Sequence, residues 1–265
     1  DRKRVSAKYQ EITQNLLEQD DGITGGHRVD MINILNSQYL GKMYFGSTTT
    51  QQEATVVFDT GSNWLTVTSD LCNNCTSQIY TTSKQKKNNA KTEGEAIEQR
   101  YGSADLTGIR YMDTVCLHSQ KGGKNISGSC IDDFDFMAIN KAVGLNPGID
   151  GILGLGPNYN NGPSYLMAMY EEEVIDDAIV SFSLGYNNGG TIQQDSYMMF
   201  GGLNTTQYVG KMYEFPLVTD KWWALEFRKF YYDGKLFKSF DAFPKDQEIT
   251  EMGNSAFAVV DTGTS

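Results

Sequence analysis

The chain has 265 residues, 39% of them hydrophobic, with 27 glycines, 5 prolines and 12% aromatics, enough apolar material to bury a core and too much for a disordered chain. Its net charge of −11 excludes a basic phosphate-binding face and argues against nucleic acid or an anionic membrane as partner. The acidity fits plain solubility or service in an acidic compartment, where protonated carboxylates repel each other less.

In chain order, residues 1–26 are polar, with one amphipathic stretch, "YQEITQNLLEQ", in which Ile12, Leu16 and Leu17 form a helical stripe. "DDGITGGH" breaks it with Gly and Asp. The opening "DRKRVSAKYQ" lacks the apolar core of a signal peptide, and no apolar run is long enough to span a bilayer as a helix. From "MINILNSQYLGKMYFG" onward the pattern is short apolar runs between turns. They are "ATVVF", "WLTVT", "GIRYMDTVCL", "FDFMAI", "GILGLG", "IVSFSL", "YMMFGG", "MYEFPLV", "WWALEF" and "AFAVV". The whole therefore reads as all-β. "KQKKNNAKTEGE" is a solvated charged loop. "PSYLMAMYEEEVIDDA" predicts the one good helix of the body, with Pro163 near its start and Leu166, Met169 and Tyr170 as its apolar face. Glu171–Glu173 fits a wet face of that helix better than a metal site.

Four cysteines allow three pairings. Cys72 and Cys75, in "CNNC", suit a small disulfide loop, a zinc site or a redox pair. Zinc needs two further ligands, and the histidines are only His27 and His118. A redox pair wants a βαβ setting, which is absent. Cys116 and Cys130 flank a Gly-rich turn and can bridge two hairpin strands. Asn74, Asn125 and Asn204 each begin a glycosylation tripeptide, a modest pointer to export.

One short unit occurs twice. "VVFDTGS" spans Val56 to Ser62 and "AVVDTGTS" spans Ala258 to Ser265. Each places an aspartate after a buried-strand signal and before a Gly turn, which implies two similar lobes facing each other. Two carboxylates at such a junction cannot both ionise easily and would share a proton. One then serves as base toward water and the other as acid toward a carbonyl oxygen or leaving amine. Glycine lets a backbone N–H approach a carboxylate, and the hydroxyls can orient the acids. A single copy is explained as well by an Asp capping a loop; the pair is not.

From about Tyr39 to Ser265 the chain resembles the pepsin-like aspartic proteases. The resemblance runs through "QYLGKMYFGS", "VVFDTGS", "YGSADLTGIRYMDTV", "IDGILGLG", "IVSFSL", "MMFGG", "YVGKMYEFPL", "WWALEF" and "AVVDTGTS", in the family's order. It implies a bilobal fold: residues 1–26 a prosegment remnant, 27–202 an N-terminal β lobe with a flap, and 203–265 an incomplete C-terminal lobe. It makes Asp59 and Asp261 the catalytic pair. Thr60 and Thr262 would tie the lobes through buried hydroxyls, Gly61 and Gly263 would supply N–H groups, and Ser62 and Thr264 would bond the outer carboxylate oxygens. "RYGSADLTG" resembles the flap, with Tyr101 shaping the cleft and Gly102 and Ser103 bonding an extended peptide. Val57, Ile149 and Ile152 match pocket-lining positions and could equally be core. Trp222 and Trp223 fall where a cleft strand of the second lobe is expected.

Some positions depart from the family. Its usual tryptophan is Thr66 here, with Trp64 nearby, and a flap position that is often Gly is Ala104. The family continues beyond the second motif, so a fragment of a longer protein is expected, and Lys8-Tyr9 resembles the pair in a prosegment that reaches the active-site carboxylates. The implied activity is endopeptidase action on extended polypeptides in acid, blocked by statine-type peptides. It needs no cofactor and no metal, and fits a protein that is monomeric when complete and secreted or held in a lysosome- or vacuole-like compartment. The alternative is a catalytically inactive peptide-binding relative of the same fold.

Overall fold

A computed structural model describes residues 26–84, 94–120, 129–157, 162–188, 191–192, 195–241 and 255–263. The helical stretch after Tyr9, Lys8-Tyr9, Asn125, Thr264 and most of the lysine-rich loop lie outside the described residues.

The strands are β1 (His27–Ile34), β2 (Gln38–Phe45), β3 (Gln52–Asp59), β4 (Leu65–Thr68), β5 (Ala96–Arg100), β6 (Asp105–Cys116), β7 (Cys130–Val143), β8 (Gly151–Gly154) and β9 (Val180–Ser183). They continue with β10 (Asn187–Asn188), β11 (Thr191–Ile192), β12 (Ser196–Phe200), β13 (Ala224–Phe227), β14 (Lys229–Tyr232), β15 (Lys235–Ser239) and β16 (Ala256–Val259). Ten of them form one sheet in the order β5-β6-β7-β4-β8-β3-β2-β1-β12-β9, all between His27 and Phe200. The all-β reading holds.

The burial pattern of each strand follows its place. In β1, Val29 and Met31 point inward and their neighbours outward, the alternation of a strand with one wet face. In β3 the last four residues, Val56 to Asp59, are all buried, because β8 runs parallel beside them and both faces are covered. β4 and β8 are buried throughout. The strand that delivers the first aspartate is therefore the best-covered part of the sheet. Its neighbour β2 carries Gly41 where a Cβ would lie 1.8 Å from the Phe58 ring, so only glycine lets that ring pack flat across β2. Phe58 meets Phe200 edge-on, and Phe45, Tyr80 and Phe136 form a second edge-to-face group at 5.0–6.1 Å.

The helix is shorter than its sequence pattern predicts. Helix α1 spans Tyr165–Glu171, with Ser164 accepting the N–H of Met167. Tyr165, Leu166 and Met169 are buried, while Tyr170 is half-buried. Glu172 and Glu173 leave the helical region, Glu173 at φ 57. Carboxylates at the negative end of the helix dipole disfavour further turns, which stops α1 where the acidic run begins.

Both disulfides close locally, Cys72–Cys75 after β4 and Cys116–Cys130 across the register pair that joins β6 to β7. After Phe200 the chain builds two small ladders, β13 with β16 and β14 with β15. "MYEFPLV", expected as a strand, makes only the single bridge Leu217 to Leu225; Pro216 within it has no N–H to donate. Trp222 and Trp223 precede β13 in a bend instead of lying in a strand.

Candidate active site

The two Asp-Thr-Gly units meet. β3 ends on Asp59, and Asp261 follows β16 by two residues. Their turns interlock by bonds that repeat in both directions. Thr60 N–H donates to Thr262 Oγ1 at 3.1 Å, and Thr262 N–H donates to Thr60 Oγ1 at 2.9 Å. Thr60 Oγ1–H then donates to the Val260 carbonyl at 2.8 Å, and Thr262 Oγ1–H to the Phe58 carbonyl at 2.7 Å. Each hydroxyl thus satisfies one N–H and one C=O of the opposite strand, which a β-branched alkyl side chain of the same shape could not do.

The glycines complete the symmetry. Gly61 N–H donates to Asp59 Oδ1 at 2.8 Å, and Gly263 N–H donates to Asp261 Oδ1 at 2.9 Å. Each glycine also faces the other aspartate. A Cβ on Gly61 would lie 2.8 Å from the Asp261 carboxylate atoms, and one on Gly263 would lie 2.2 Å from Asp59 Oδ1. Two residues without side chains are what let two carboxylates come this close.

The environments of the two acids differ. Asp59 is 7% exposed, whereas Asp261 is exposed. Burial, above all, pushes the Asp59 carboxyl up to about 6; the nearby Ser62 hydroxyl and the Gly61 N–H pull it down, and the Asp261 carboxylate pushes it up again. Burial thus inclines the Asp59 carboxyl to keep its proton.

Behind Asp59, β8 continues into a turn that clamps the motif. Leu155 N–H donates to the Asp59 carbonyl at 2.7 Å and Gly156 N–H to the Ser62 carbonyl at 2.7 Å. From the other half, Trp223 Nε1–H donates to the Leu155 carbonyl at 2.8 Å. The sequence reading did not find this tie; nothing in "WWALEF" separates a cross-linking indole from a core one. Trp222 instead stacks on Phe257.

The β5–β6 hairpin reaches over the site. Arg100 pairs with Asp105, and the four-residue tip closes by Tyr101 N–H donating to the Ala104 carbonyl at 2.7 Å. Gly102 and Ser103 are exposed at the tip, and Ala104 is buried. The Tyr101 hydroxyl is sealed from solvent, and burial together with the Asp59 charge raises its pKa. Val57, Ile149 and Ile152 are buried in one apolar cluster with Ile97, Ala104 and Leu106 of the hairpin, against which Tyr101 and Trp64 pack. They form the floor beneath the hairpin as core side chains.

The Asn74 side chain is turned onto β7, donating to the Ala142 carbonyl at 2.6 Å and accepting the Ala142 N–H at 3.2 Å. The amide nitrogen a glycan would need is engaged there. Asn204 Oδ1 accepts the Thr206 hydroxyl at 2.7 Å. Among the described residues no cluster of three or more His, Cys, Asp or Glu could hold a metal ion, and no helix is long and apolar enough to cross a membrane.

A family model described as eukaryotic aspartyl protease matches residues 38–265. Vacuolar protease A of Neurospora crassa is 28% identical over 273 residues, covering 99% of this chain and 61% of that protein. Pepsin II-1 of Oryctolagus cuniculus is 27% identical over 244 residues, covering 88% of the chain and 55% of that protein. Chymosin of Ovis aries is 27% identical over 251 residues, with coverage of 89% and 56%. The chain thus spans little more than half the length of the curated relatives it matches. With its two Asp-Thr-Gly turns locked face to face inside the matched span, the chain belongs to the eukaryotic aspartyl protease family.

Proposed function

We propose that the protein is an aspartic endopeptidase, with Asp59 and Asp261 as its catalytic pair and residues 27–202 and 203–265 as contributions from two lobes. The observation that carries this reading is the reciprocal threonine–glycine network, which sets two carboxylates side by side in unequal environments.

The chemistry follows from that inequality. In acid the pair holds one proton, mainly on buried Asp59. Asp261 takes a proton from a water molecule, whose oxygen forms a bond to the scissile carbonyl carbon. Asp59 gives its proton to the carbonyl oxygen, producing a neutral tetrahedral diol. Asp261 then passes its proton to the departing nitrogen while Asp59 recovers one from a diol hydroxyl. The C–N bond breaks, acid and amine leave, and the pair is restored. The exposed tip residues Gly102 and Ser103 offer backbone groups to a peptide laid in extended form across the acids. Substrates are polypeptides, and the setting is an acidic vacuole-like compartment or the outside of the cell, in keeping with relatives named vacuolar protease A and pepsin.

The test uses the full-length gene product. Asp59→Asn and Asp261→Asn should each abolish peptide hydrolysis while leaving binding of a statine-type peptide detectable. Hydrolysis surviving in either variant sinks the assignment. A wild-type protein that binds the statine peptide and cleaves nothing is instead a peptide-binding relative.

A further inference from the structure

Two glycosylation tripeptides lie among the described residues, Asn74-Cys75-Thr76 and Asn204-Thr205-Thr206, and the fold treats them differently. Exposure alone favours the first: Asn74 and Thr76 are exposed, whereas Asn204 is half-buried and only its Thr206 is exposed. Hydrogen bonding reverses that order.

Strand β4 pairs with β7 only from Met137 to Ile139. Ala142 lies beyond that pairing, with Leu106 of β6 on one side and no strand on the other. The Asn74 amide fills the open side: Nδ2 donates to the Ala142 carbonyl at 2.6 Å and Oδ1 accepts the Ala142 N–H at 3.2 Å. Both bonds leave one edge of the planar amide, so Nδ2 donates through the hydrogen that lies beside Oδ1. A sugar on Nδ2 makes the amide secondary, and a secondary amide puts its substituent beside the oxygen, as a trans peptide bond does. The first sugar carbon would then stand where the Ala142 carbonyl is. A glycan on Asn74 and this strand-edge pairing exclude each other.

Asn204 has no such tie. Its Oδ1 accepts the Thr206 N–H at 3.0 Å and the Thr206 hydroxyl at 2.7 Å, on an extended backbone with φ −98 and ψ 104. These contacts span two residues and need nothing from the rest of the fold. Its Nδ2 bonds no other described residue. The hydroxyl on Oδ1 draws electron density toward the oxygen, which eases loss of a proton from Nδ2 as that nitrogen attacks.

We propose that Asn204 is a site of N-linked glycosylation and that Asn74, despite its greater exposure, stays unmodified in the folded protein. In the transfer, Nδ2 bonds to the anomeric carbon of an oligosaccharide activated as a pyrophosphate. The bond from that carbon to the pyrophosphate oxygen breaks, the pyrophosphate leaves with the electron pair, and the Nδ2 proton passes to a base of the transferring enzyme. The inference rests on the reading that the protein enters a vacuole-like compartment or leaves the cell, and is independent of hydrolysis.

The experiment is peptide mapping by mass spectrometry of the folded, full-length protein from its own cells, after enzymatic release of glycans in heavy-oxygen water. Each asparagine that carried a glycan then becomes a labelled aspartate. Asn204 should be labelled in most molecules and Asn74 in none. Thr206→Ala keeps the bond from the residue 206 N–H to Asn204 Oδ1 but removes the hydroxyl, and should lose the label at Asn204. Thr206→Ser should retain it. Protein from the vacuolar fraction or the medium with Asn204 unlabelled overturns the proposal, as does a label on Asn74 in the folded fraction. Hydrolysis by such unlabelled protein would overturn this proposal and leave the endopeptidase reading standing. Protein confined to the cytosol refutes the compartment reading and this proposal with it.

Discussion

Replacing Gly263 by Ala probes how the pair is built. Gly263 has no positive φ, so alanine meets no backbone penalty there. Its Cβ would, however, lie 2.2 Å from Asp59 Oδ1 and 2.5 Å from Cγ. Ordinary contact begins near 3.4 Å, so the two groups must part by about 1.2 Å. Asp59 is buried and held by Gly61 N–H at 2.8 Å, so it has little room to yield. A displacement on the order of 1 Å at a reacting group costs about 100-fold in rate, or about 2.7 kcal/mol of transition-state stabilisation. Gly61→Ala makes the mirror-image contact at 2.8 Å with Asp261, which is exposed and can swing away. Its cost should be about tenfold or less. The assay is kcat/KM on a peptide substrate for both full-length variants, with thermal unfolding run alongside. Near-wild-type turnover in Gly263→Ala, or a larger loss in Gly61→Ala, would refute the reasoning.

Thr262→Val keeps shape but leaves the Phe58 carbonyl without its donor and Thr60 N–H without its acceptor. Stability should fall by about 2–4 kcal/mol in denaturant unfolding, and an unchanged midpoint contradicts the network's role. Asp59 holds its proton more tightly folded, at about 6, than at its ordinary 3.8. Its contribution is fully present below the lower value and fades as pH rises through the upper one, by about 3 kcal/mol in all. Asp59→Asn should flatten that decline; an equally steep decline in the variant argues against a strained carboxyl. His27 and His118, with ring centroids 6.0 Å apart, act in the opposite sense, since burial lowers both pKa values and the His27 charge further disfavours that of His118. Their stabilisation is present above about 6.5 and is lost as pH falls through the lowered values, so His27→Gln or His118→Gln should gain stability over wild type in acid only.

The candidate pair was legible because its chemistry is compact. An acid, a hydroxyl and a residue without a side chain stand consecutively, twice, each after a buried strand. Thr60 and Thr262 could be assigned to the network, but not the carbonyls of Phe58 and Val260 that they satisfy, since backbone partners carry no letter. Helix α1 was overextended because apolar periodicity ignores the dipole, which halts it at the acidic run after Glu171. "MYEFPLV" looked like a strand by alternation, yet only a bridge forms at Leu217. The β14–β15 hairpin was missed although its signal was present. Asp233 and Gly234 both adopt positive φ, the turn that Asp-Gly favours between apolar runs. Trp223 matters through position in the fold alone: its indole donates across the two halves.

The pH dependence of kcat/KM for the full-length wild-type protein tests the central claim most directly. If Asp59 and Asp261 share one working proton, hydrolysis should be strong in acid and fade as pH rises through about 6, where Asp59 ionises. A rate that holds steady or climbs toward neutral pH would mean that the proton on this pair does not do the chemistry.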